Sequence, residues 1–440
     1  MLQKLLWLCI AACILTACAT SSGVKSYQAS LADDYQLSDE ERWAVKQADL
    51  YLEKLTQQGL IYRQPEAQAY IESIEARLLA NDPPRYREHI RLYLARDPSV
   101  NASALANGVI FLNTGLFSAL ENEQQLAAIL AHEIAHITER HNVKNVISTK
   151  NSLMAGHVLD VITTTAIGVG GIGYLPSALS IADHSQSAES DADQLGLQRL
   201  VAAGYPPTAM PDVFAKLQSL PRLTANSYSI FSSHPSHPQR IAELRQSIAR
   251  DYASIAAPAP ADNTTFTQIK ALLMEQNAKM YLLRRDYLKL RMMLEQAKDS
   301  YPDSDKIAFY QGEAAWGVYQ HWSEQQILSH WFNAESDPET TVKTDNNEQN
   351  SEVEETLKPQ LLDNAEAFYL QALNNGDGYL PSYKRLAKIA LARGQPATAE
   401  SWLTRYLDSK PDARERRRLE RMLEKIKTNT LSTKTHLEEK

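Results

Sequence analysis

The run Leu130-Ala131-His132-Glu133-Ile134-Ala135-His136-Ile137 decides how this chain is read. It follows Glu121-Asn122-Glu123-Gln124-Gln125-Leu126-Ala127-Ala128-Ile129, a stretch rich in good helix formers, so the run sits on a helix. On a helix, residues i and i+4 share a face, so the His132 and His136 imidazoles can grip one metal ion. Glu133 then lies beside the first histidine, in reach of a water at the metal as a general base. Two imidazoles and a carboxylate on an apolar helix are costly to bury, and a shared metal removes most of that cost.

A catalytic zinc commonly takes three protein ligands and leaves one position for water. His141 does not supply the third: the metzincin pattern needs a Gly seven and a His ten after the first His, and those positions hold Glu139 and Asn142. His141 therefore reads as a packed residue. Ser187-Ala188-Glu189-Ser190-Asp191-Ala192-Asp193 is a better source. Glu189 and Asp193 share a face of a second helix; Glu189 supplies a third ligand, and Asp193 accepts a hydrogen bond from the far nitrogen of a ligand histidine. The expectation is one Zn2+ per chain on His132, His136 and Glu189.

Of 440 residues, 44% are hydrophobic and 22% charged, which describes a globular protein with a sizeable core. The net charge of −8 argues against nucleic acid as a partner. Lys4 followed by the apolar Leu5–Leu15 and then Leu15-Thr16-Ala17-Cys18 resembles a bacterial lipoprotein signal, with 1–17 removed and Cys18 lipidated. All three cysteines lie in this stretch, so cleavage before Cys18 leaves no thiol for catalysis or for zinc. Ala19, where that resemblance would put Asp for inner-membrane retention, favours an outer-membrane lipoprotein facing the periplasm. A plain secretory signal and a soluble periplasmic product is the alternative, as is an uncleaved anchor. Residues 18–36 then read as a lipidated tether.

Ser38-Asp39-Glu40-Glu41 is a capping box opening a helix to about Gln58. A second helix is expected at 65–80, strands at His89–Leu94 and Val109–Leu112, and helices at about 122–149, 187–204, 207–219 and 238–251. The 109–112 strand is a candidate edge for pairing with an extended peptide, or an ordinary sheet strand. The Gly-rich apolar segment 154–174 reads equally as a lid, a core hairpin or a membrane contact. Ala257-Pro258-Ala259-Pro260-Ala261 marks a linker at 256–262 that ends a domain of 37–255. Beyond it, 380–411 resembles a tetratricopeptide repeat, 269–302 is a weaker copy, and 305–375 holds another, interrupted by a polar disordered insertion at 334–357. These make a repeat domain of 263–425, with a flexible tail at 426–440. The fold class is α+β, predominantly α: a catalytic domain with a small sheet, followed by an α-solenoid-like helical repeat domain.

Together these motifs resemble the HtpX-like gluzincin zinc metallopeptidases. The resemblance rests on Asn113-Thr114-Gly115-Leu116, the His132–His136 helix, the Glu189-x-x-Ala192-Asp193 motif, and Ser233-His234-Pro235-Ser236-His237-Pro238-Gln239-Arg240. It implies a zinc-dependent endopeptidase in which Glu133 is the catalytic base and Asp193 orients a ligand. It also implies His234, six before Arg240, as a regulatory fourth ligand that keeps the enzyme shut, with Arg240 in support; His237 is close enough in sequence to substitute. With the repeats added, it implies envelope quality control, degrading unfolded or misassembled envelope proteins. The repeats would contact the outer-membrane barrel assembly machinery, and the lipid anchor the membrane. The alternative is a chaperone or scaffold for outer-membrane assembly acting through the repeats, with proteolysis secondary. An idle zinc scaffold is disfavoured because a structural site has no use for Glu133.

Overall fold

A computed structural model describes residues 23–155, 184–220, 234, 238–255, 263–298, 301, 303–321, 347–409 and 413–438. The signal with Cys18, most of the Gly-rich 154–174 segment, the 256–262 linker, His237 and residues 334–346 of the expected insertion lie outside these. The chain divides into two compact units, Met1–Met274 and Glu275–Lys440. The fold is predominantly helical with a small mixed sheet, followed by a solenoid-like helical region. No helix among the described residues is long and apolar enough to cross a membrane.

The first unit opens with α1 (Tyr27–Ser30), α2 (Asp39–Gln57), α3 (Pro65–Leu78) and α4 (Pro84–His89). The α2 capping box forms as the sequence predicts: Ser38 accepts from the Glu41 amide, and Glu41 accepts from the Ser38 amide at 2.7 Å. Three strands follow, β1 (Arg91–Ala95), β2 (Ala102–Ala104) and β3 (Val109–Asn113), in the order β1-β3-β2. β1 runs parallel to β3 and β2 antiparallel to it. Side chains alternate along β3: Ile110 and Leu112 enter the main core, while Val109 and Phe111 pack on the other face with Ala48 and Leu55 of α2. Both faces are buried, which is why this strand reads as an unbroken apolar run. It is the central strand, paired on both sides, and so has no free edge for a peptide. The shorter β2, hidden in sequence as Ala-Ser-Ala, pairs only with β3 among the described strands.

The chain then passes through α5 (Thr114–Ala119) into α6 (Glu123–Thr138), the helix that carries the histidines. Gly115 is required here, because a Cβ would lie 2.1 Å from the Pro98 carbonyl oxygen. Asn122 caps α6, and Glu123 ties its start to α3 through Tyr70 (3.0 Å) and Arg77 (3.1 Å) and also accepts from Tyr205 (2.9 Å). The single helix expected at 122–149 is two, α6 and α7 (His141–Ala155), broken at Arg140 with φ of 56°. The break is held from far away: the buried Arg140 guanidinium donates to Glu41 at 2.7 Å and to the Lys25 carbonyl at 3.2 Å. The segment expected as a loose tether is thus partly folded. Tyr27 is buried edge-on against Tyr86, with ring centroids 4.8 Å apart.

Next come α8 (Gln186–Ala202), α9 (Ala209–Ser219) and α10 (Pro238–Asp251). Ser185 caps α8 by accepting from Ala188 at 3.2 Å. Along α8, Glu189, Asp193 and Gly196 lie on the face turned to α6, and a Cβ on Gly196 would sit 3.1 Å from both the backbone N and Cα of His132.

The helix α11 (Thr264–Leu283) spans the division between units; its Phe266, Ile269 and Leu273 belong to the first core. The second unit continues with α12 (Tyr287–Lys298), α13 (Asp305–Gln320), α14 (Asn347–Asn374), α15 (Pro381–Ala392), α16 (Pro396–Ser409) and α17 (Ala413–Glu438). Neighbouring helices pack as successive pairs. Gly312 lets the Tyr369 ring lie against α13, since a Cβ would come within 2.6 Å of that ring. Tyr369 and Arg385 both donate to the buried Glu313, the tyrosine at 2.6 Å. Residues 347–357, expected in a disordered insertion, form the start of α14, and the expected flexible tail is largely the second half of α17.

Substituting Gly196→Val should separate α8 from α6 at the histidine helix. We expect a loss of about 1–3 kcal/mol in unfolding free energy, by denaturant titration, together with weaker zinc binding.

Candidate metal centre

Four ligand atoms, one each from His132, His136, Glu189 and His234, lie within 4.8 Å of one another, and all four residues are buried. His132 Nε2 is 3.0 Å from His136 Nε2 and 3.3 Å from His234 Nδ1. Glu189 Oε1 is 2.9 Å from His234 Nδ1 and 3.3 Å from His136 Nε2. A tetrahedral zinc with bonds of about 2.0–2.1 Å sets its ligand atoms about 3.3 Å apart, close to the 2.9–3.3 Å of these four pairs. A single proton can bridge two of these atoms but not four; a cation satisfies all of them. The three-histidine, one-carboxylate set fits a single zinc site.

The surroundings prepare these groups for a cation. Burial, with His184, His132 and His234 around it, pulls the His136 pKa well below the ordinary histidine value, so its ring is neutral and offers a lone pair. Burial alone would raise the Glu189 carboxyl, but His234 and His136 outweigh it and hold the group ionised far below the usual range. Burial acts to lower His234 as well; there the Glu189 and Glu133 carboxylates win, and its pKa is raised. Neither oxygen of the buried Glu133 carboxylate has a hydrogen-bond partner among the described residues, and Oε1 faces His234 Nε2 at 3.4 Å. A carboxylate held this way is the kind of group that waits for a water or substrate proton.

A second layer fixes the ligands. Asp193 Oδ1 faces His132 Nδ1 at 3.1 Å. Arg240, from the first turn of α10, grips Asp193 with two donors at 2.7 and 2.8 Å and reaches Glu189 Oε2 at 2.7 Å. Its guanidinium lies over the Phe214 ring at 5.1 Å, and that ring meets His132 edge-on at 5.7 Å. The residues singled out in sequence for this centre, His132, Glu133, His136, Glu189, Asp193, His234 and Arg240, are thus brought together; His237 falls outside the described residues, as does Cys18, the lipidation candidate.

Sequence reading missed Phe214 and His184 altogether and gave His141 no place near the metal. His184 stacks on His136, with ring centroids 4.1 Å apart and 29° between planes. His141 approaches His136 from the other ring nitrogen, Nδ1 to Nδ1 at 3.1 Å. The one signal for His184 was its position just before the N-cap of the helix that carries Glu189; for His141 the sequence carried none, since its place follows from the break at Arg140.

The sequence profile of Peptidase family M48 matches residues 64–248. Among characterised proteins the chain is similar to the beta-barrel assembly-enhancing protease of Yersinia pestis, 29% identical over 205 residues, which are 45% of this chain and 42% of the relative. It is similar to the protein of that name in Escherichia coli K12, 27% identical over 209 residues, 46% of this chain and 43% of the relative. The mitochondrial metalloendopeptidase OMA1 of Schizosaccharomyces pombe is 26% identical over 157 residues, 35% of this chain and 45% of the relative. The chain spans about half the length of the curated relatives it matches. Residues 64–248 thus carry a His-Glu-x-x-His helix, a buried glutamate brought to it by a second helix and a match to the Peptidase family M48 profile over both, an arrangement that fits a zinc metallopeptidase and resembles the beta-barrel assembly-enhancing proteases and OMA1.

Proposed function

We propose that the chain is a zinc endopeptidase of the bacterial envelope, facing the periplasm, whose hydrolytic centre rests in a closed state. The observation that carries this reading is the buried ligand set with His234 inside it and, beside it, the Glu133 carboxylate, which has no hydrogen-bond partner among the described residues. His132, His136 and Glu189 would hold the metal. Bound zinc supplies polarisation of the scissile carbonyl and acidification of water. Glu133 takes the proton of the attacking water and passes it to the leaving amine. Asp193 and Arg240 keep His132 and Glu189 in place while this happens. Among the described strands, β2, which packs beside α6 and pairs only with β3, is the partner proposed for a peptide strand.

His234 occupies a fourth place in the ligand set, so substrate binding requires its departure. That closure favours a division of labour in which assistance to outer-membrane protein assembly, through the helical repeats of the second unit, is the resting activity. Cleavage of misassembled chains is then secondary. The names of the relatives, which speak of enhancing barrel assembly, support this order over simple degradation. Cys18 is the proposed lipid attachment that keeps the chain at the membrane.

Glu133→Gln should keep one zinc per chain and lower casein hydrolysis by about 10²–10⁴-fold; undiminished cleavage by the zinc-loaded variant removes Glu133 from the proposed role. In cells, the same variant should retain most of the assembly function and deletion of 263–425 should abolish it. The reverse pattern would make proteolysis primary. His234→Ala should raise casein hydrolysis above wild type with zinc retained, whereas a fall would show that His234 serves the reaction rather than closing the site.

A further inference from the structure

The two histidines of α6 are held at their far nitrogens in different ways. His132 Nδ1 faces a carboxylate, Asp193, at 3.1 Å. His136 Nδ1 faces another imidazole, His141 Nδ1, at 3.1 Å, and both residues are buried. For His136 to present a lone pair to a metal at Nε2, its ring proton must sit on Nδ1. That proton then points at His141 Nδ1, which has to accept it. His141 is thereby restricted to the tautomer with its own proton on Nε2, since a proton on Nδ1 would set two N–H groups against each other. His184 closes the remaining freedom by stacking on the His136 ring face at 4.1 Å.

His141 is in place because the helix stops. Arg140 turns the chain with φ of 56°, so α7 starts at His141 and directs this side chain back at the end of α6. An uninterrupted helix would put a residue five positions on at about 500° of rotation, some 140° away from His136. The buried Glu41–Arg140 pair, 2.7 Å apart, is therefore what brings the acceptor to the metal ligand.

We propose that His141 is a positioning residue of the metal centre, a neutral imidazole that accepts from His136 Nδ1 and sets the His136 tautomer and ring angle, with His184 as the wall behind it. This rests on the reading of the site as a zinc centre. An outer partner of this kind commonly contributes about 10–100-fold to metal affinity.

The test is zinc affinity of the full chain, by competition with a chromophoric chelator, for wild type, His141→Leu and His141→Asn. Leucine removes the acceptor, while asparagine puts its carbonyl oxygen where Nδ1 stood. We expect His141→Leu to bind zinc about 10–100-fold more weakly and His141→Asn to recover most of the loss. Equal affinity in wild type and His141→Leu overturns the proposal. So does an asparagine variant that folds yet binds zinc no better than the leucine variant. If His141→Leu does not fold, the comparison of His141→Asn with wild type still decides: near-equal affinity supports an acceptor role, and a loss as large as 10–100-fold overturns it. A His234→Ala chain that binds one zinc tightly and cleaves no peptide sinks the peptidase reading and leaves this one standing; wild type that binds no zinc sinks both.

Discussion

The close approach of α8 to α6 at Gly196 is the contact on which the metal centre depends. With no side chain at that position, the backbone of the histidine helix and the face that carries Glu189 and Asp193 meet directly. Those two carboxylates then arrive where the His132 and His136 rings project. A larger residue at 196 would carry the third ligand outward together with the residue that steadies the first. The small residues Ala192 and Gly196 on an otherwise ordinary helix are thus as much a part of the site as the groups that would touch zinc.

Burying so much ionisable chemistry needs compensation, and the structure provides it in layers. Among the described residues, Arg240 sets its guanidinium against both Glu189 and Asp193. It lies six residues after His234, so the group that enters the ligand set and the group that neutralises the carboxylates belong to one short stretch of chain. A motion that withdraws His234 while leaving Arg240 on α10 would open the fourth position without exposing the carboxylates. That separation is what a latent site requires: the metal-holding residues stay satisfied in both states, and only the place of the substrate changes hands.

The parts legible in sequence were those that depend on local periodicity. The pairing of His132 with His136 and of Glu189 with Asp193 follows from four-residue spacing on helices, and the capping box at Ser38 from a four-residue pattern. What escaped was set by contacts distant in the chain. Nothing in Glu139-Arg140 is a helix breaker; the break exists because Glu41 and the Lys25 carbonyl hold Arg140 from about a hundred residues away. The central place of the 109–113 strand depended on β2, a three-residue strand without β-branched or aromatic residues to announce it. His184 has no periodic relation to His136 and becomes its neighbour only when α8 docks. The N-terminal segment read as a tether, yet the buried Tyr27 ring, Arg140 on the Lys25 carbonyl and Arg85 on the Leu31 carbonyl dock it.

The claim on which everything else stands is that His132, His136, Glu189 and His234 converge on one zinc ion. Anomalous diffraction from crystals of the zinc-loaded chain, recorded on both sides of the zinc absorption edge, tests it most directly. The account predicts one peak per chain, about 2.0–2.2 Å from His132 Nε2, His136 Nε2, a Glu189 oxygen and a ring nitrogen of His234. A peak bound by other residues, or none between α6 and α8 in a fully folded chain, would contradict it.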